Sequence, residues 1–169
     1  MIGRLEGTVV EVPHDGTIVL DVSGVGYEVF VPLGTLTTLR GGEALTVHVH
    51  THAREDSLML FGFATLEDKT AFRMLLGVSN VGPKLALAIL GVLDAHRLAH
   101  AVAHEDRAAL KGIPGVGKKT IERILLDLKD RLIVRSGAGA PVANVTRPST
   151  APSGPLAGVV LALVQMGYK

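Results

Sequence analysis

Along residues 1–63 hydrophobic and polar side chains alternate with period two, interrupted by turn-forming clusters. Five strands are predicted, over 2–12, 17–22, 27–31, 44–52 and 57–63. The breaks are His14-Asp15-Gly16, Ser23-Gly24-Val25-Gly26, Arg40-Gly41-Gly42 and Arg54-Glu55-Asp56, rich in residues that suit turns. A short helical or irregular piece, 33–39, separates the third strand from the fourth. Five short strands with that interruption fit a small closed barrel of the OB type.

From Leu66 the period becomes helical. Residues 66–76 set Leu66, Phe72, Leu75 and Leu76 against Glu67, Asp68, Lys69 and Arg73. Pro83 suits a helix start, and the nearly apolar run 85–90 predicts burial. Asp94 is placed to cap a helix over 95–104, and 105–110 also reads as helical. A long helix from Lys118 to about 133 turns Ile121, Ile124, Leu125 and Leu128 inward. Residues 136–155, with four prolines, three glycines and a single charge, read as a flexible linker. In 156–169 Leu156, Val159, Val160, Leu163 and Val164 line one more helix. One helix cannot fold as a domain, so it docks on a partner or the chain stops early. The expected class is α+β multidomain: an OB-type barrel in 1–64, an all-α domain in 65–135, the linker and the C-terminal helix.

One motif occurs twice. Gly77-Val78-Ser79-Asn80-Val81-Gly82-Pro83-Lys84 is followed, 35 residues on, by Gly112-Ile113-Pro114-Gly115-Val116-Gly117-Lys118-Lys119. Each copy lies between apolar runs and reads as helix, tight hairpin, helix. Bare amides at a helix N-terminus beside a lysine form an anion site suited to phosphate. Two such sites in one domain point to a nucleic-acid backbone more than to one small ligand. The second copy also resembles the phosphate loop G-x-x-x-x-G-K-[ST], but Lys119 stands where a magnesium-binding hydroxyl is needed. That loop should also follow a buried strand, whereas 105–110 looks helical, and a nucleotide loop has no reason to be duplicated.

Charge agrees with this division. The net charge of +1 hides an acidic half, with three basic and eight acidic residues in 1–64. Residues 65–135 carry twelve basic and eight acidic residues, so the positive charge sits with the hairpins. An acidic barrel with few aromatics suits assembly or scaffolding better than oligonucleotide binding. The absence of cysteine excludes thiolate chemistry and fits a reducing compartment. With no signal-like start and no apolar run of membrane-spanning length, a cytoplasmic location is expected. His48, His50 and His52 share one strand face, and His96, His100 and His104 one helical stripe. Either set could bind a metal, but solvated faces are the expected reading, because no further ligand completes the first set. Glu55-Asp56 at a hairpin tip gains meaning only if DNA passes that tip.

Taken together, these features resemble the RuvA family of bacterial Holliday junction branch-migration proteins. The resemblance is carried by Met1-Ile2-Gly3, Arg54-Glu55-Asp56, Leu60-Phe61-Gly62-Phe63, both hairpins, Glu122-Arg123 and Lys129-Asp130-Arg131. It implies a homotetramer, or an octamer of two paired tetramers, that holds a four-way junction open for the RuvB motor ATPase. The RuvC resolvase is a further implied partner, and the setting is recombination and repair, including the SOS response to DNA damage. DNA contact would fall to Asn80, Gly82, Lys84, Gly115, Gly117, Lys118, Lys119 and Arg123, and an acidic pin to Glu55 and Asp56. No cofactor or metal is implied. Asn80 departs from the glycine usual in the family. The three-helix motor-binding module is represented only by its first helix, with Leu156, Val160 and Leu163 as partial contacts. A nuclease or glycosylase would need a carboxylate cluster or a base pocket, which 65–135 lacks. A protein-interaction module, with hairpins that only pack helices, is the remaining alternative.

Overall fold

The computed structural model describes residues 1–13, 16–54 and 57–138, with side chains as far as Lys129. Alternation in the first part becomes β1 (Arg4–Glu11), β2 (Thr17–Val22), β3 (Val25–Phe30), β4 (Ala44–Ala53) and β5 (Leu58–Phe63). A single helical turn, α1 (Leu33–Leu36), follows β3. The strands close into a barrel in the order β1-β2-β3-β5-β4. Its seams are antiparallel except β3–β5, a parallel pair holding Val29↔Leu60 and Phe30↔Phe61.

Side chains of one parity fill the barrel. Val9, Ile18, Leu20, Val29 and Val47 are fully buried and form one core with Leu5, Val31, Val49 and Leu60. Gly62 shares that inner face, where an added Cβ would lie 2.7 Å from Val29 Cγ1, so the packed interior leaves no room for a side chain. The β2–β3 turn is tighter than expected: Val25 and Gly26 already belong to β3, and Val22 pairs with Val25. Ser23 (φ 56°) and Gly24 (φ 86°) both take left-handed backbone. That is the combination of a type I′ hairpin, whose twist matches the strands.

The opposite face of β5 points away from the barrel interior, and the helices cover it. These are α2 (Leu66–Leu76), α3 (Pro83–Val92), α4 (Ala95–Ala103), α5 (Arg107–Leu110) and α6 (Lys118–Ala138). Phe72 of α2 sits between Phe61 and Phe63, with ring centroids 5.0 and 4.9 Å away. All three rings are fully buried. The Asp68 carboxylate accepts the Ala95 N–H at 2.9 Å, fastening α2 to the first turn of α4. Leu66, expected on the inner face, is instead 55% exposed, because burial on α2 falls on Ala71, Phe72 and Leu75. α3 and α4 meet at 91°, and no single helix among the described residues is long and apolar enough to span a membrane. On α6 the four residues expected to face inward, Ile121, Ile124, Leu125 and Leu128, are the buried ones among its described side chains.

A continuous apolar core runs from Phe61 and Phe63 through α2 to α6, and residues 1–135 form one compact unit. The hairpins are thus mounted on the barrel wall. α6 continues to Ala138, beyond the expected end near 133. The rest of the expected linker and the 156–169 helix, with Leu156, Val160 and Leu163, lie outside the described residues.

Candidate nucleic-acid interface

Both copies of the repeated motif fold into the same turn. The Val81 N–H donates to the Val78 carbonyl at 3.1 Å, and the Val116 N–H to the Ile113 carbonyl at 3.0 Å. The third residue of each turn has positive φ, 67° at Asn80 and 84° at Gly115, whereas Ser79 and Pro114 do not. That is the type II pattern, which favours glycine or asparagine at the third place and proline at the second. Val78, Val81 and Ile113 are buried and anchor the turns, leaving Ser79, Asn80, Pro114 and Gly115 exposed. The helices then begin identically. The Gly82 carbonyl accepts from the Ala86 N–H at 2.9 Å and the Gly117 carbonyl from the Ile121 N–H at 3.0 Å.

These two helix starts differ from those of α2, α4 and α5 in how their first amides are treated. α2, α4 and α5 begin with Thr65, Asp94 and Asp106, whose side chains accept first-turn N–H groups. α3 begins at Gly82 with no side-chain cap, and Gly117 ahead of α6 has no side chain to offer. Neither α3 nor α6 has an acidic residue in its first turn. The unfilled amides and the positive end of each helix dipole therefore remain available to an external anion. Space points the same way. A Cβ on Gly82 or Gly117 would meet nothing within 4 Å, so internal packing gives no reason for glycine there. Close approach of something from outside would.

The cations around the hairpins are left free. Lys84, Lys118, Lys119 and Arg123 are exposed, and none enters an ion pair among the described residues. Elsewhere on the helices charge is spent internally: Arg107 lies 3.7 Å from Glu122, and Lys129 2.5 Å from Glu105. That contact holds the exposed Glu105 carboxyl below its ordinary range. The fold also brings the hairpins together, since an added Cβ on Gly115 would touch Leu85 Cδ1 of α3 at 3.2 Å. Residues 1–62 match the family model described as the RuvA N terminal domain, and 72–130 the SAM-like helix-hairpin-helix tandem. Over the whole chain, proteins named Holliday junction branch migration complex subunit RuvA align at 45% identity. Those of Pseudomonas fluorescens Pf-5 and Pseudomonas aeruginosa PAO1 match all of this chain and 85% of their own length, and that of Pseudomonas putida KT2440 84%. The chain belongs to the RuvA family.

Within this RuvA-family chain all eight residues expected to contact DNA lie on or directly beside the two hairpins, and all are exposed. Lys111, one residue ahead of Gly112, is a further exposed cation without an ion pair among the described residues. It escaped the reading of the repeat because the first copy has Leu76 at that place. The segment before the second hairpin is α5, a helical turn and not the strand that a phosphate loop follows. Glu55 and Asp56 lie outside the described residues, although their hairpin is closed by the Arg54 N–H donating to the Ser57 carbonyl at 2.8 Å.

The β4 histidines require a correction. Their face is not a solvated one: His48, His50 and His52 are half-buried, because α2 returns across this side of the barrel. The His50 ring meets Phe72 edge-on at 5.4 Å, and His52 meets Phe61 at 6.4 Å. Burial, with Arg73, His52 and Lys69 nearby, lowers the His50 pKa. His96, His100 and His104 are exposed, with the last two rings stacked at 4.1 Å. Among the described residues no three His, Cys, Asp or Glu side chains are grouped to hold a metal ion.

Proposed function

We propose that this protein is the non-catalytic, junction-binding subunit of a branch-migration complex. It binds four-way DNA through paired hairpins, and a RuvB-type motor supplies ATP hydrolysis. The observation that carries this is the pair of uncapped, glycine-led helix starts, with Gly115 of the second turn lying against Leu85 of α3, among cations that enter no ion pair with the described residues. Amides and lysines of that kind grip phosphates without reading bases, so recognition is by shape. Asn80, Gly82, Gly115 and Gly117 supply backbone approach, and Lys84, Lys118, Lys119 and Arg123 supply charge. A homotetramer gives one subunit to each junction arm, and closed four-fold symmetry matches the ligand. Pairing of two tetramers, contact with a RuvC-type resolvase, motor docking through Leu156, Val160 and Leu163, and a cytoplasmic setting belong to the same reading. Glu55 and Asp56, at the β4–β5 loop, would repel phosphates at the crossover and separate strands as they exchange partners.

The test is a gel-shift titration of an immobile four-way junction against linear duplex of equal length, with excess competitor DNA. Strong junction preference is expected. Equal affinity for the two would reduce the protein to a general hairpin DNA-binder, and absence of binding at low salt would favour a protein-interaction role.

A further inference from the structure

A second cationic surface lies apart from the hairpins, along the seam between β4 and α2. β4 contributes His48, His50 and His52, followed by Arg54, while α2 contributes Lys69 and Arg73. These groups are neighbours. Arg73, Lys69 and His52 all act electrostatically on His50. The His50 and His52 rings lie 6.5 Å apart, and Arg54 Nε donates to His52 Nε2 at 3.2 Å. Among the described residues Arg54, Lys69 and Arg73 enter no ion pair, and the Lys69 amine donates to the Gly3 carbonyl at 3.0 Å. Of the two acids in the first turn of α2, Asp68 is occupied by the Ala95 N–H and the Thr65 hydroxyl, and Glu67 is exposed and enters no ion pair among the described residues. Arg4, opposite His48 in register, is paired with Glu6.

This concentration stands on a barrel that is otherwise acidic, and its course connects two features already described. α2 follows β5, carries Phe72 back over Phe61 and Phe63, and ends where the first hairpin begins at Gly77. Arg73 therefore stands one helical turn before that hairpin. At the other end Arg54 closes the β4–β5 loop. The exposed Arg73 and Arg54 stand at either end of the half-buried His50 and His52, and together they form a track between the first hairpin and that loop. The aromatic rings beneath, Phe61 and Phe72, are fully buried, so the track offers donors to phosphates and no platform for stacking bases.

We propose that this seam is a third phosphate-contact surface, which guides the DNA strand between the hairpins and the β4–β5 loop. The inference rests on the junction-binding reading and deepens it: a strand leaving the crossover needs positive charge on its way to the arm. Linear duplex, gripped at the hairpins alone, does not.

The test uses the full chain with Arg54→Gln and Arg73→Gln combined, both exposed positions outside the apolar core. Affinities for a four-way junction and for linear duplex are measured by fluorescence anisotropy from about 50 to 200 mM salt. Junction affinity is expected to fall about ten-fold or more, with a salt slope shallower by about one for each lost contact, and duplex affinity to change far less. Arg54→Lys with Arg73→Lys, which keeps the charge, is expected to retain junction binding and separates lost charge from lost folding. Unchanged junction affinity and slope in the glutamine variant, beside a wild type that still prefers junctions, overturns the seam proposal. Equal losses on junction and duplex overturn it too, since they place both arginines within the arm grip. A wild type without junction preference instead overturns the reading on which the inference rests.

Discussion

At single residues the hairpins separate what the fold needs from what a ligand needs. Gly115 is required internally, by its φ of 84° and by the 3.2 Å approach of Leu85 to an added Cβ. Gly82 has ordinary extended backbone (φ −86°, ψ 173°), and an added Cβ there, as on Gly117, meets nothing within 4 Å. Gly82→Ala and Gly117→Ala are therefore expected to hold or raise the melting temperature, by up to about 1 kcal/mol of stability, because alanine narrows the unfolded ensemble. Junction affinity in gel shifts should nevertheless drop, as a methyl group stands between the amides and the phosphate. Gly115→Ala should do the reverse in the melt, losing about 1 kcal/mol or more. Much of this was legible in sequence: the 35-residue repeat marked both turns, and asparagine at position 80 was compatible with left-handed backbone. Which glycines face outward was not, since that depends on where Leu85 lands.

At the level of elements, α6 places Lys118 and Lys119 at the positive end of its own dipole, with no acid in the first turn. Each such lysine costs about 0.3–1 kcal/mol in the free protein, a cost that bound phosphate offsets. Replacing both with alanine should raise the melting temperature slightly while weakening junction binding and flattening its salt dependence. An unchanged slope would remove them from the interface. The β4–α2 seam makes a different prediction. The folded state holds the His50 pKa below the ordinary value of about 6.5. As pH falls through that ordinary value, the unfolded chain takes up the proton first, so stability declines between there and the lowered folded pKa. Urea melts from about pH 7.5 to 5.5 should show this decline, and His50→Asn should reduce it. The inward residues of α6 could be read in advance because four apolar positions at helical spacing define one side. The histidine face could not, because strand alternation tells the two faces apart without revealing that α2 returns across one of them.

Across the whole molecule charge is divided by task, with a net −5 in residues 1–64 and +4 in residues 65–135. On the proposed reading the positive charge grips arms through the hairpins, while the barrel, acidic apart from the β4–α2 seam, suits assembly better than holding duplex. On the same reading Glu55 and Asp56 would have a role distinct from binding, since carboxylates at a crossover would oppose the phosphates that the hairpins attract. If each hairpin neutralises about one or two phosphates, a tetramer contacts about 8 to 16, and junction affinity should fall by at least about 10³-fold between 50 and 200 mM salt. Glu55→Gln with Asp56→Asn should leave that slope unchanged, because no phosphate contact is lost. The affinity itself should stay level or rise as repulsion is removed. Branch migration by the assembled motor complex, followed by strand-exchange products on a mobile junction, should change rate. Loss of junction binding in this variant would show that the pair supports the fold or the assembly of the β4–β5 loop, and would end its assignment as a strand-separating pin.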